Sequence, residues 1–231
     1  MWSAAISAAG GSVNPRFYAA SALAPLAAEA TVRPLMWSAR PPGDDAVRAF
    51  LARQQVAPFS YSAVGASRDD ETRPAGYDVD HNRVRLGEGE AMFEAACVAL
   101  RAWKMFPVPW TKITPGDAPI RAGALLAMQA HALGLWWLNA CRVVYVLDEA
   151  APVRRFGFAY GTLPAHVEQG EERFSVERHA DGSVWYDLRA FSRPRYWPVR
   201  LAKPLARGLQ RRFVRDSQAA MKAAVVNAGP V

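Results

Sequence analysis

Cysteine is nearly absent from this chain: 2 among 231 residues, Cys97 and Cys141. They form no CxxC pair and no Cys/His ligand spacing, which argues against zinc modules and disulfide scaffolds. Two free, buried thiols in a reducing, cytoplasmic compartment are the expectation. Histidine is scarce too, with 4 in all. His81, His166 and His179 are the candidate metal ligands, but no pair has a diagnostic spacing such as HExxH, so no metal is expected. There is no GxSxG elbow and no Cys in a glycine-rich turn, so nucleophilic catalysis has no support. Gly87-Glu88-Gly89 lacks the next glycine and the preceding buried strand of a dinucleotide fingerprint, and no cofactor is expected. The aromatics do not follow the stacking signature of an RNA-reading sheet, so no nucleic-acid partner is expected. No apolar run approaches the length of a membrane-spanning helix. The opening MWSAAISAAGGSV lacks the basic and apolar regions of a signal peptide.

Aromatics and localised charge are abundant instead. The chain carries 8 Trp, 7 Tyr and 10 Phe, enough to build a large core or to line an apolar pocket. The net charge of +7 is uneven. Arg193, Arg195, Arg200, Lys203, Arg207, Arg211, Arg212, Arg215 and Lys222 stand against Asp216 alone between positions 193 and 222. Such a face is either a solvated helix surface or a contact for an anionic membrane or acidic partner.

Residues 1–42 are rich in Ala, Ser and Pro and read as an N-terminal extension, partly ordered, which Trp2, Phe17, Tyr18, Met36 and Trp37 could dock. Residues 43–231 read as a single domain. Asp44 or Asp45 caps a short helix, Ala46 to Gln55. Residues 65–76 are loop-like, and Asp78 to Leu86 is extended. Asp80-His81-Asn82-Arg83 reads as a polar turn or a second polar cluster. A strong helix runs from Glu90 to Met105 and stops before Pro107.

Strand patterns follow: Gly123 to His131, Leu135 to Leu138, Arg142 to Asp148, Arg154 to Leu163, Glu171 to Arg178 and Ser183 to Ser192. Asp181-Gly182 marks a hairpin between the last two. A long helix, Tyr196 to Val225, closes the chain with an apolar stripe beside the basic one. The expected fold is α+β: a curved antiparallel sheet wrapped around a long C-terminal helix, with room for a cavity between them.

The densest chemistry lies between Phe156 and Phe174, FGFAYGTLPAHVEQGEERF. Tyr160, Thr162, His166, Glu168, Glu171 and Glu172 crowd into two strands and a loop. Either a hairpin is being shaped and salt-bridged, or polar groups converge on a site. Alternation puts Glu172, Phe174 and Val176 on one face. If that face is the core, Glu172 needs a partner, and Arg142 or Arg189 could supply it.

Several blocks resemble, in order, the bacterial and plant family called "domain of unknown function 1990". They are GYDVDHNRVRLGEGEAMFEAACVALRAWKMFP, CRVVYVLDE, RRFGFAYGTLPAHVEQGEERF, VWYDLRAFSRPRYW and LQRRFVRDSQAAM. The resemblance implies a helix-grip fold similar to the START and Bet v 1-like superfamily. Members of that superfamily bind sterols, lipids and polyketides, and some are cyclases, dehydratases or hydrolases. It implies an apolar or amphipathic ligand, with Trp103, Trp136, Arg142, Tyr145, Phe158, Tyr160, Thr162 and Trp185 as expected lining residues. If the protein is an enzyme, His166 and Tyr160 with Glu171 or Glu172 are the acid–base candidates. Anionic membrane surfaces are a further partner expectation.

Overall fold

The computed structural model describes residues 37–107, 109–195 and 203–227. The expected extension falls almost wholly outside them, as does the start of the expected last helix. The described elements are β1 (Trp37–Ser38), α1 (Asp44–Ala52), β2 (Asp78–Glu88), α2 (Gly89–Arg101), β3 (Thr111–Thr114), β4 (Leu125–Ala132), β5 (Leu135–Glu149), β6 (Arg154–Thr162), β7 (Glu168–Arg178), β8 (Ser183–Pro194) and α3 (Lys203–Asn227). A single 3-10 turn, Ala66–Arg68, interrupts the loop between α1 and β2.

One antiparallel sheet contains every described strand, in the order β2-β8-β7-β6-β5-β4-β3, with β1 paired onto β5. From β3 to β8 each strand pairs with its sequence neighbour, so short turns suffice. The Asp181-Gly182 turn behaves as expected: Gly182 sits at φ +83, and His179 donates its backbone N–H to Ser183. β2 closes the far edge against β8. The sheet grips α2 and α3 on its inner face, which is the helix-grip arrangement.

Strand alternation builds that inner core. Phe156, Phe158 and Tyr160 on β6, Phe174 and Val176 on β7, and Tyr186 and Leu188 on β8 pack with Phe93, Cys97 and Leu100 of α2 and Met221 and Val225 of α3. Trp103 closes on Phe158 with ring centres 4.8 Å apart, and its indole N–H bonds the carbonyl of Ala118.

Three sequence expectations change. Leu135–Leu138 and Arg142–Asp148 belong to one strand, because Asn139 between them is buried in the ladder and held by Val167 and Met128. Asp80-His81-Asn82-Arg83 is the centre of β2 rather than a turn, because the whole segment pairs with β8. α1 begins at Asp44 with Gly43 as N-cap, so neither aspartate caps by its side chain.

The outer face of the sheet is also dry over β6, β7 and β8, because residues 59–73 fold across it. Tyr61 reaches so close to β6 that a Cβ on Gly161 would lie 2.1 Å from its hydroxyl. Glycine is required there by space. Gly161→Ala is therefore expected to destabilise the protein by about 1–3 kcal/mol through overpacking. Urea unfolding of the variant beside the native chain measures this.

Candidate functional site

A cavity of about 400 Å³ lies between the inner sheet face and the first half of α3. Its wall is mostly apolar: Phe106, Trp110, Met128, Trp137 and Leu188 from the sheet side, and Leu209 and Phe213 from α3. The size falls inside the ordinary range for small-molecule sites. Leu133, in the β4–β5 turn, and Leu205, near the start of α3, belong to the wall yet are 62% and 46% exposed, which places them at its mouth.

The polar groups sit at one end. Glu172 points inward from β7, as alternation requires, and the Tyr160 hydroxyl on the paired β6 position donates to its Oε2 at 2.5 Å. Glu172 is packed round by protein but keeps accessible surface on the cavity wall. Burial raises its pKa to about 7; the Tyr160 hydrogen bond opposes that rise, while Glu168 and Asp80 add to it. The expected arginine partner is not there. Arg142 donates to the carbonyls of Gln54, Gln55 and Ala57, and Arg189 to that of Thr72. A tyrosine and a raised pKa take the place of a salt bridge.

Glu168 lies nearby, its carboxylate bonded by the Gln210 side-chain amide at 2.9 and 3.0 Å, and burial pushes its pKa up. Gln210 also contacts Ser192 and Arg207, and Arg207 forms a two-pronged pair with Asp80 at 2.5 and 2.6 Å. This layer pins α3 to β2, β7 and β8.

His166 is 6% exposed and lines the cavity. Its Nδ1 accepts the backbone N–H of Glu168 at 2.9 Å, so Nε2 carries the ring proton. Among the described residues no group bonds Nε2. Burial lowers the pKa of His166 to about 3, so the ring is neutral near pH 7. No carboxylate orients it. Thr162 also lines the cavity, but its hydroxyl is held by Ser60 and by the N–H of Gly170.

Other expected site residues point elsewhere. Glu171 borders the cavity, but its carboxylate turns to the outer side, where it accepts from the Tyr61 hydroxyl at 2.6 Å, the N–H of Gly65 at 2.8 Å, the N–H of Ser67 at 3.0 Å and the Ser67 hydroxyl. That is a loop clamp. Tyr145 bonds Ser67, and Trp185 lies under Arg83; both are outer-face contacts. Trp136 stacks on His131, on the strand face opposite Trp137. Trp103 and Phe158 are core, packed on each other away from the cavity wall. Sequence reading missed Glu168 and Gln210 as partners, and Asp80 with Arg207, because they meet only when α3 packs on the sheet.

Part of the basic stripe of α3 is paired within the protein. Lys203 pairs with Asp78, Arg207 with Asp80, and Arg212 and Arg215 with Asp216. Among the described residues no His/Cys/Asp/Glu cluster could hold a metal ion, and no helix is long and apolar enough to cross a membrane. Both cysteines are buried; burial pushes the Cys97 thiol up to about 12 and Cys141 upward as well, which leaves neither poised as a thiolate.

Two measurements check this geometry. A carboxyl whose folded pKa lies above its unfolded value favours folding when protonated. Its contribution is best below about pH 4.5 and is lost as pH rises through about 7. The Glu172→Gln variant should therefore gain about 2–3 kcal/mol on the native protein between pH 5 and pH 8, measured by denaturant unfolding at both pH values. Glu171→Ala should cost about 2–4 kcal/mol, because several buried donors lose their acceptor together, and should speed proteolysis within residues 59–73.

A family model described as "Domain of unknown function (DUF1990)" matches residues 60–220. A "UPF0548 protein" of Deinococcus radiodurans is 42% identical over 191 residues, covering 78% of this chain and 94% of that protein. Another "UPF0548 protein", of Dictyostelium discoideum, is 33% identical over 200 residues, covering 79% of this chain and 92% of that one. Among solved structures the chain is similar to hypothetical protein jhp0584 of Helicobacter pylori, at TM-score 0.48 and 13% identity, covering 73% of this chain and 99% of that one. It is also similar to human STARD10, at TM-score 0.41 and 10% identity, covering 79% and 80%.

Proposed function

We propose that this chain, which belongs to the family described as "Domain of unknown function (DUF1990)", binds an apolar or amphipathic small molecule between its sheet and its C-terminal helix. One observation carries the reading: a cavity of about 400 Å³ with apolar walls and a polar group, Glu172, at one end without a cation beside it. A core selected for stability alone would fill such a space, since empty volume costs packing energy. A carboxyl kept buried without a cation costs more still. The two together fit a ligand that fills the volume and meets the polar end.

The test is native mass spectrometry on freshly purified full-length protein, with organic extraction of whatever copurifies. Ala130→Phe, on the cavity wall, should fold and lose at least about tenfold in affinity for the extracted compound. Retention of full affinity by that variant would remove the cavity from the account.

A second reading, acid–base catalysis, draws on the Glu172–Tyr160 pair. A carboxyl with a pKa near 7, hydrogen-bonded to a tyrosine at a cavity wall, is matched to proton transfer at neutral pH. In that reading His166 contributes a fixed N–H, and Glu171 stays outside the chemistry. Comparing compounds that copurify with the native protein and with Glu172→Gln checks it. Catalysis predicts different masses, related by loss of water or another single step. The same compound in both would decide for binding alone.

A further inference from the structure

The polar end of the cavity has a definite sign. Glu172, Glu168 and Asp80 all line it, and among the described residues the cation in contact with these acids is Arg207, already bonded to both oxygens of Asp80. Glu168 is held by the neutral side chains of Gln210 and Ser192, with the Arg207 charge close enough to act on it, and Glu172 is held by the neutral hydroxyl of Tyr160. Burial raises the pKa of both Glu172 and Glu168; Glu168 and Asp80 add to the rise at Glu172, while at Glu168 the push from Asp80 is opposed by Arg207. An anionic headgroup placed here would add to that repulsion in a poorly solvated space. A cationic one would relieve it.

The apolar surroundings agree. Tyr160 and Phe213 flank Phe106, with ring centres 6.4 and 5.4 Å from it, and all three line the cavity. Tyr160 is the ring bonded to Glu172, so aromatic faces and an unneutralised carboxyl stand side by side. Aromatic faces beside a carboxylate are the recurrent means of holding alkylammonium groups. His166 adds an independent sign of an occupant: a ring more than nine-tenths buried, on the cavity wall, whose Nε2–H has no described partner. It offers a donor to an oxygen elsewhere on the same molecule.

We infer that the cavity takes a cationic amphiphile, an apolar chain or ring system bearing an amine or quaternary ammonium, with the charge seated between Glu172 and the Phe106–Tyr160–Phe213 rings. The inference rests on the cavity-binding reading above and narrows it to one headgroup class. Fatty acids and phosphate-headed lipids are disfavoured as occupants by the same charges. Binding a cation converts Glu172 from a destabilising buried acid into half of an ion pair.

Three probes of equal chain length separate the possibilities: decyltrimethylammonium, decanol and decanoate. Each is titrated calorimetrically into the full-length protein at pH 7.5, below its micelle concentration. The ammonium should bind at least about tenfold tighter than decanoate, with decanol between them. Glu172→Gln should weaken the ammonium about tenfold and leave decanol within about twofold, because only the charge is removed. Decanoate binding as tightly as the ammonium, or a Glu172→Gln variant with an unchanged ammonium-to-decanol ratio, would overturn the headgroup inference while leaving cavity binding intact. Failure of all three probes to bind would overturn both. The headgroup order in the native protein stands without any variant.

Discussion

Everything distinctive about this protein depends on the pleat of β7. In most sheets one face is dry and the other meets water, and alternation then sorts apolar from polar. Here both faces of β7 are covered, the inner by α2 and α3 and the outer by residues 59–73. Charged residues on β7 therefore cannot escape to solvent by alternating. Glu171, Arg173 and Glu177 turn outward into a dense network of ion pairs and hydrogen bonds, while Glu172 turns inward and meets only the Tyr160 hydroxyl. A one-residue slip would exchange the two sets and leave several charges in the core.

The outer network pairs acids with cations. Arg173 is fully buried and contacts Asp187 and Asp70 at 2.8 and 2.7 Å as well as the carbonyls of Ser67 and Arg68. Asp187 also meets His81 and Arg83, and Glu177 meets Arg83 and Arg155. Breaking such a buried network is costly, so it fixes the loop and the strand register together. The inner face is the opposite case. Its acids are met by tyrosine, glutamine and one arginine, and the remaining imbalance sits on the wall of an apolar cavity. The contrast between a neutralised outer face and an unneutralised inner one is why the inner face reads as a site.

Much of this was legible in advance, for reasons that can be traced to particular residues. Phe156, Phe158 and Tyr160 alternate with small residues, and this fixed β6 and its inward face. Phe174 and Val176 put Glu172 on their own face of β7, and packing turned that face inward. The Asp181-Gly182 dipeptide located the β7–β8 turn. Arg142, Tyr145, Trp136 and Trp185 lie off the cavity wall, which the sequence does not reveal because period-2 patterning identifies two faces without saying which one encloses space. When both faces are buried, an aromatic is equally at home on either. Glu171 and Glu172 adjoin in sequence, yet their roles differ entirely for the same reason.

The sequence by itself determined the family, the antiparallel α+β architecture, the long C-terminal helix and the strand face that Glu172 shares with Phe174 and Val176, since periodicity and motif order are local properties of the chain. Only the tertiary structure decided what Glu172 meets, that Glu171 clamps a loop, and that Lys203, Arg207, Arg212 and Arg215 pair with Asp78, Asp80 and Asp216. Those outcomes depend on contacts across tens of residues, Tyr61 with Glu171 and Arg207 with Asp80 among them. Partner choice is set by which surfaces packing brings together, and a carboxyl's charge state by how much water that packing leaves it.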